Sequence, residues 1–77
     1  MPKVFDECGF RFFFYMNEHE PVHVHVRKGR FMAKFEISDR AVLVSDNGLP
    51  AMELKKAREI ANRRKAEILE KWHGVFG

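Results

Sequence analysis

The chain has 77 residues, of which 45% are hydrophobic and 32% charged, with eight phenylalanines and a net charge of +3. This composition excludes a disordered tail, and the length allows one domain near the lower size limit for a core without a disulfide or metal. Cys8 is the only cysteine, which excludes an internal disulfide, and no signal-peptide pattern or long apolar run occurs. We therefore expect a soluble cytoplasmic protein without a membrane segment, and the basic excess favours an anionic partner.

The first half of the chain predicts strands. A short strand is expected over Lys3–Cys8 and ends at Gly9. Two β-rich runs, Phe10–Met16 and Val22–Lys28, then flank the turn-forming segment Asn17–Pro21. This arrangement is typical of a β-hairpin.

A loop over 17–21 sets the register of this hairpin. The predicted cross-strand pairs are Met16 with Val22, Tyr15 with His23, Phe13 with His25, and Arg11 with Arg27. Because side chains alternate between the two faces of a strand, one face is apolar and predicts a core. That face carries Phe10, Phe12, Phe14, Met16, Val22, Val24 and Val26. The opposite face combines basic and aromatic side chains, namely Arg11, Phe13, Tyr15, His23, His25 and Arg27.

A second hairpin follows directly. Gly29 supplies the conformational freedom that a tight turn needs, and Phe31–Ile37 alternates between apolar and polar residues. The resulting pairs are His23 with Glu36, His25 with Lys34, and Arg27 with Met32. Both hairpins place their bulky apolar residues on one face, and this agreement favours an antiparallel meander.

In the rest of the chain, the spacing of the apolar residues changes from that of strands to that of helices. Ala41–Val44 is predicted as a fourth or fifth strand or as a strap across the core. From Pro50 the apolar residues follow helical spacing, with an interruption near Asn62 that allows either one long helix or two. We expect a single α+β domain over 1–77, in which a meander of four to five strands (1–45) carries a C-terminal helical segment (50–73) on one face. The shared core is predicted to include Phe12, Phe14, Val24, Phe35 and Trp72.

The order of motifs resembles a known family. The motifs are Pro-x-Val near the N-terminus, Gly-Phe-x-Phe-x-Phe-Tyr at 9–15, Pro-x-His-Val-His-Val at 21–26, Ala-Lys-Phe at 33–35 and Glu-x-Trp-His at 70–73. Together they resemble DUF4160, a family of small bacterial proteins of unknown function. The resemblance implies a gene neighbourhood that looks like a toxin–antitoxin pair, and it assigns no reaction.

The His-x-His strand allows two kinds of chemistry. His23 and His25 could be metal ligands, with Glu36 as the best third ligand and His19 in the loop behind it. Zinc sites use three or four such groups, and a closed set is not evident. The sequence therefore predicts no metal and no cofactor.

The same strand could instead act on a phosphodiester. One histidine would serve as base and the other as acid, while Glu36 holds an imidazole in one tautomer. Arg27 and Lys34 would stabilise the developing negative charge. A metal-independent ribonuclease needs no further groups. The alternative is that His23 and His25 are surface or interface residues without a catalytic role.

Aromatic residues on a solvent-facing sheet are normally covered by a ligand or partner. The predicted contact residues for nucleic acid or a partner are Arg11, Phe13, Tyr15, Arg27, Lys34 and the basic helix run Arg63, Arg64 and Lys65. Two functional hypotheses follow. The first is a toxin–antitoxin-like module directed at RNA or another nucleic acid, with or without catalysis. The second is a non-catalytic module that binds a cognate small protein or forms a homo-oligomer through the same sheet face.

Overall fold

A computed structural model describes residues 2–77. The strands are β1 (Lys3–Glu7), β2 (Phe10–Phe13), β3 (His23–Lys28), β4 (Phe31–Ile37) and β5 (Ala41–Asp46), and the helices are α1 (Ala51–Arg63) and α2 (Lys65–Phe76). The five strands form one sheet in chain order, and each neighbouring pair is antiparallel. The predicted α+β meander with a helical C-terminal segment is confirmed.

The register of the central strands follows the predicted alternation. Strands β2 and β3 pair Arg11 with Arg27 and Phe13 with His25. Strands β3 and β4 pair as predicted, with His23 opposite Glu36, His25 opposite Lys34 and Arg27 opposite Met32. The connecting turn contains Gly29 at φ +61°, a left-handed conformation that favours glycine.

The first hairpin is shorter than predicted. Its ladder ends at the pair of Phe13 with His25, so the predicted pairs of Tyr15 with His23 and of Met16 with Val22 do not form in it. Met16 was expected in the core, but this is wrong because its side chain is 67% exposed. The backbone N–H of Tyr15 donates to the Glu18 carboxylate at 3.0 Å. Tyr15 is therefore bonded to the loop that follows it and not to β3.

The core lies between the sheet and the two helices. Its central side chains are the fully buried Phe12, Phe14, Val24, Phe35 and Ile68, together with Trp72 at 3% exposure. The Phe14 and Trp72 rings meet edge to face, with their centroids 5.3 Å apart. The predicted core cluster is therefore confirmed, and both helices supply residues that cover the Phe-rich face.

The helical segment consists of two helices that meet at Arg64. The guanidinium of Arg64 lies 3.5 Å from the centroid of the Phe5 ring, and one of its nitrogens is 2.9 Å from a Glu7 carboxylate oxygen. Asn62, at the end of α1, accepts the backbone N–H of Ala41 at 2.7 Å. These contacts connect the helix junction to both edge strands. Within residues 2–77, neither helix is long and apolar enough to cross a membrane.

The packing of α2 predicts a large loss of stability for Ile68→Ala. Ile68 is completely buried, so its truncation leaves a cavity and should lower the free energy of unfolding by about 2–5 kcal/mol. Val75→Ala is the matched control, because Val75 is 47% exposed on the same helix and should change stability by less than about 0.5 kcal/mol. Urea unfolding followed by circular dichroism measures both. Equal effects of the two substitutions would contradict the packing of α2 on the sheet.

Candidate functional site

The candidate site lies on the sheet face opposite the helices. Val24 and Val26 of β3 point into the core, so the alternating residues His23 and His25 point to the other face. The loop between β2 and β3 then returns over this face and brings Glu18 to both imidazoles. The three side chains form the Glu-His-His cluster.

One carboxylate contacts both histidines. Oε1 of Glu18 lies 2.9 Å from Nε2 of His25, and Oε2 is hydrogen-bonded to Nε2 of His23. The side chain of Glu18 is 10% exposed, and that of His25 is 13% exposed. The cluster is thus largely shielded from water, where interactions between charged and polar groups are stronger than at an exposed surface.

The second ring nitrogen of His23 is also engaged. Nδ1 lies 2.8 Å from the backbone carbonyl oxygen of Pro21, which can only accept a hydrogen bond. Nδ1–H is therefore the donor, and this fixes the tautomer of a neutral His23 with the lone pair on Nε2. Nε2 then faces a carboxylate oxygen, so a second proton or another cation is needed between these two atoms.

Aromatic rings hold the two imidazoles in place. The Phe13 ring stacks on His25 at a centroid distance of 5.5 Å, and the Tyr15 ring meets His25 at 4.5 Å. Phe13 is 3% exposed, so these neighbours cover it and leave Tyr15, at 41%, as the accessible ring. Trp72 lies against His23, and its Nε1–H donates to Glu20 at 2.9 Å. The loop is thereby connected to α2.

The protonation of the cluster follows from burial and from the mutual contacts. Burial is the largest influence on the pKa of His25 and lowers it; Glu18 raises this pKa, the charges of His23 and Lys34 lower it further, and the net shift is downward. Burial alone would raise the pKa of Glu18. The hydrogen bonds from the Tyr15 amide and from His23, with the charges of both histidines, outweigh burial and lower the pKa of Glu18 overall. The cluster therefore favours an ionised carboxylate beside a neutral His25 near pH 7.

Glu36 and Lys34 lie beside the cluster. Glu36 is opposite His23 in the ladder, as predicted, but Glu18 is the carboxylate that contacts the imidazole. A surface pocket of about 410 Å³ is lined by Glu18, His23, Lys34 and Glu36, among others. A second pocket of about 240 Å³ is lined by Tyr15, His25 and Lys34. Lys34 borders both pockets and is the lysine available there for an anionic ligand.

Two arginines continue the same face away from the cluster. Arg11 and Arg27 are cross-strand partners and are both exposed. Arg11 forms an ion pair with Asp6 at 3.4 Å, whereas Nε of Arg27 donates to the Gly29 carbonyl at 3.2 Å. Together with Lys34 they form a basic row along one side of the sheet.

The basic helix run belongs to the other layer. Arg63 and Arg64 form ion pairs with Glu7, and Arg64 also pairs with Glu67 at 2.8 Å. Lys65 donates to the backbone carbonyl of Asp39. The structure therefore places Arg63, Arg64 and Lys65 away from the histidines, where they hold the helix junction against the sheet.

Glu18 is the residue that the sequence reasoning missed. It occupies the loop, where the period-two pattern of the strands gives no side-chain direction. The available signal was an acidic residue three positions before the Pro-x-His-x-His motif, together with the short span of the loop. Glu36 is the third ligand that the sequence favours, because its register in the ladder can be predicted, whereas the position of a loop residue such as Glu18 cannot.

The fold and cluster define a class, namely a small α+β domain whose meander carries helices on one face and a Glu-His-His cluster on the other. The family model described as Domain of unknown function (DUF4160) matches residues 9–73, and the chain belongs to this family. The resemblance of the motifs is thereby confirmed. No curated protein and no solved structure matches the chain.

The contact between Glu18 and His25 predicts the response of one pKa. Glu18→Gln removes the negative charge that raises the pKa of His25, so this pKa should fall further below its ordinary value of 6.5. Glu36→Gln is the control, because Glu36 does not contribute to the shift, and it should leave the pKa of His25 near that of the wild type. An NMR titration of the imidazole signals in EDTA measures all three proteins. A rise of the pKa in Glu18→Gln would contradict the described geometry.

Proposed function

We propose that this protein is an RNA-directed module of a toxin–antitoxin-like pair that binds single-stranded RNA on the sheet face bearing the histidines. The observation that carries this proposal is the accessible Tyr15 ring, which lies 4.5 Å from His25 beside a pocket lined by Lys34. Arg27 and Arg11 extend the row of cations along this face. A cytoplasmic location, where such RNA occurs, is part of the proposal.

The two kinds of side chain have separate tasks in this interface. An exposed aromatic ring can stack on a base whatever its identity, and cations beside it can contact the flanking phosphates. Tyr15 would receive the base, because Phe13 is covered by its neighbours. Lys34 and Arg27 would contact phosphates, since neither forms a salt bridge within residues 2–77.

The toxin–antitoxin role is supported by the family membership, because the gene neighbourhood implied by the motif resemblance looks like such a pair. The chain has two separate exposed features that would serve a target and a cognate protein, namely the basic aromatic face and the apolar edge strand β5.

Cleavage of the bound RNA is not required by this proposal. Both nitrogens of His23 are engaged, one by the Pro21 carbonyl and one by Glu18. Acid–base catalysis by a histidine pair requires that each imidazole can exchange a proton with the substrate. Only His25 lines the pocket with Tyr15 and Lys34. We therefore place binding, and not cleavage, at the centre of the proposal.

The proposal predicts a charge-dependent loss of affinity for Arg27→Ala. Loss of one phosphate contact should weaken binding of a short oligouridylate and reduce the slope of log K against log salt by about 0.7. Arg58→Ala removes the same charge from the exposed surface of α1 and should leave both quantities unchanged. Filter binding across a salt series measures affinity and slope together.

The aromatic contribution is tested in the same assay. Tyr15→Ala should cost about 1–3 kcal/mol of binding free energy without changing the salt slope, as expected for lost base stacking. Gel electrophoresis of the same RNA in EDTA reports whether cleavage accompanies binding and whether His25→Ala removes it. Absence of binding at low salt, or equal losses for Arg27→Ala and Arg58→Ala, would contradict the RNA proposal.

A second candidate function is protein association through β5. This strand lies at one edge of the sheet, so no strand of residues 2–77 pairs with its outer side, where Asn62 accepts the backbone N–H of Ala41. Val42, Leu43 and Val44 on it are between 36% and 50% exposed, and Val44 lies at a register irregularity opposite β4. Exposed apolar edge strands are sites where another chain can pair. A second copy of this chain is the occupant that we propose for this edge, because an antiparallel pair of identical edges can be closed by a two-fold axis.

Self-association through β5 predicts a dimer that one charged substitution disrupts. Val44→Lys should convert a concentration-dependent dimer to a monomer, because a buried ammonium group opposes the contact. Val75→Lys places the same charge at a similarly exposed valine on α2 and should leave the dimer intact. Size-exclusion chromatography with light scattering measures the mass of each protein. A monomeric wild type at high concentration would refute self-association.

A further inference from the structure

We propose that Glu18, His23 and His25 form a binding site for a divalent first-row transition ion such as Zn²⁺. The carboxylate of Glu18 and one ring nitrogen of each histidine are the ligands. This inference goes beyond the proposed RNA binding and does not depend on it.

The donor set is the first argument. One ligand atom from each of the three residues lies within 4.8 Å of the other two, with two imidazoles and one carboxylate in the group. Two histidines and one carboxylate are a common ligand set for catalytic zinc and for iron(II). Carboxylate alone would suit Mg²⁺ or Ca²⁺, whereas the two imidazoles favour Zn²⁺, Co²⁺ or Ni²⁺.

The outer contacts of the cluster are the second argument. The Nδ1–H of His23 donates to the Pro21 carbonyl at 2.8 Å, which directs the lone pair of Nε2 toward Glu18. Metal-ligating histidines usually make this kind of contact, because it fixes the tautomer and raises the basicity of the ligating nitrogen. The Tyr15 amide similarly orients the carboxylate by donating to Oε1 of Glu18 at 3.0 Å.

The acceptor geometry points to a cation in the cluster. With Nδ1–H of His23 committed to a carbonyl, Nε2 of the neutral ring is an acceptor that faces the Glu18 oxygen, itself an acceptor. These two atoms are compatible only when a proton or a metal ion lies between them. A metal ion satisfies both atoms at once and also recruits His25, which lies 2.9 Å from the other carboxylate oxygen.

The distances require only a small adjustment. Ligands of tetrahedral zinc stand about 3.4 Å apart, since each lies about 2.0–2.2 Å from the ion. The carboxylate oxygens of Glu18 lie closer than this to the imidazole nitrogens, so the carboxylate must move outward. All three ligand atoms already lie within 4.8 Å of one another, so any pair at that limit has to approach by about 1.4 Å. Glu18 belongs to a loop and not to a strand, whereas stacking against Phe13 and Trp72 holds the histidines. The larger adjustment is thus assigned to Glu18, the ligand that belongs to a loop.

Three protein ligands leave a coordination position for water or a ligand. The pocket beside Glu18 and His23 is also lined by Lys34 and Glu36, so this position can face an open space of about 410 Å³. Glu36 lies on the same face but outside the three-residue group. It therefore serves as a matched control for a carboxylate that is near the ion but does not bind it.

The test is a titration of untagged, EDTA-treated protein with ZnCl₂, followed by isothermal calorimetry and by thermal unfolding. We expect one Zn²⁺ per chain and a rise in melting temperature that MgCl₂ does not produce. Glu18→Gln and His25→Ala should each weaken zinc binding at least roughly tenfold. Glu36→Gln and His73→Ala should bind zinc as the wild type does.

Cobalt provides a second readout that does not depend on the folding of any variant. The wild type with CoCl₂ should show visible absorption bands of a low-coordinate ion, and equimolar ZnCl₂ should remove them. Absence of both zinc binding and these bands would overturn the proposal. Equal losses for Glu18→Gln and Glu36→Gln would also overturn it, because the ligand set would then differ from the one assigned here.

Discussion

The structure depends on the need to cover one face of a short antiparallel sheet. Five strands of four to seven residues expose a continuous layer of phenylalanine and valine, which only the two helices can shield from water. Trp72 and Ile68 on α2 complete this core, and Arg64 closes it at the helix junction by lying over the Phe5 ring. A sheet covered on one side only leaves its second face available for polar chemistry.

The second face is organised by one loop carboxylate. Glu18 receives hydrogen bonds from its own loop and from two residues of β3, so it joins the loop to the sheet. The same loop is held from the helical side by the bond between Trp72 and Glu20. The core and the candidate site are therefore coupled through α2, and a change in helix packing is expected to affect the position of the loop.

The positive charge of the chain is divided between two layers with different tasks. In the helical layer, Arg63 and Arg64 are paired with carboxylates, so their charges contribute to packing more than to an external field. On the sheet face, Arg27 and Lys34 each line a surface pocket, and the pocket of Lys34 is also lined by the accessible Tyr15 ring. A modest net charge can therefore produce a local anion-binding surface, because the distribution of charge matters more than its sum.

The amino-acid sequence by itself determined the meander, the register of β3 with β4, the core face and the interruption near Asn62. These features follow from local periodicity, since alternation every two residues specifies the face of every side chain in a strand. Tertiary structure alone decided the length of the first hairpin, the exposure of Met16 and the contact of Glu18 with both histidines. A loop has no repeating geometry, so the direction of its side chains depends on contacts between residues distant in sequence. The ion pair of Arg64 with Glu7 is a further example. Local spacing predicts the helix break beside Arg64, but only the packing of β1 against the helices brings Glu7 to it.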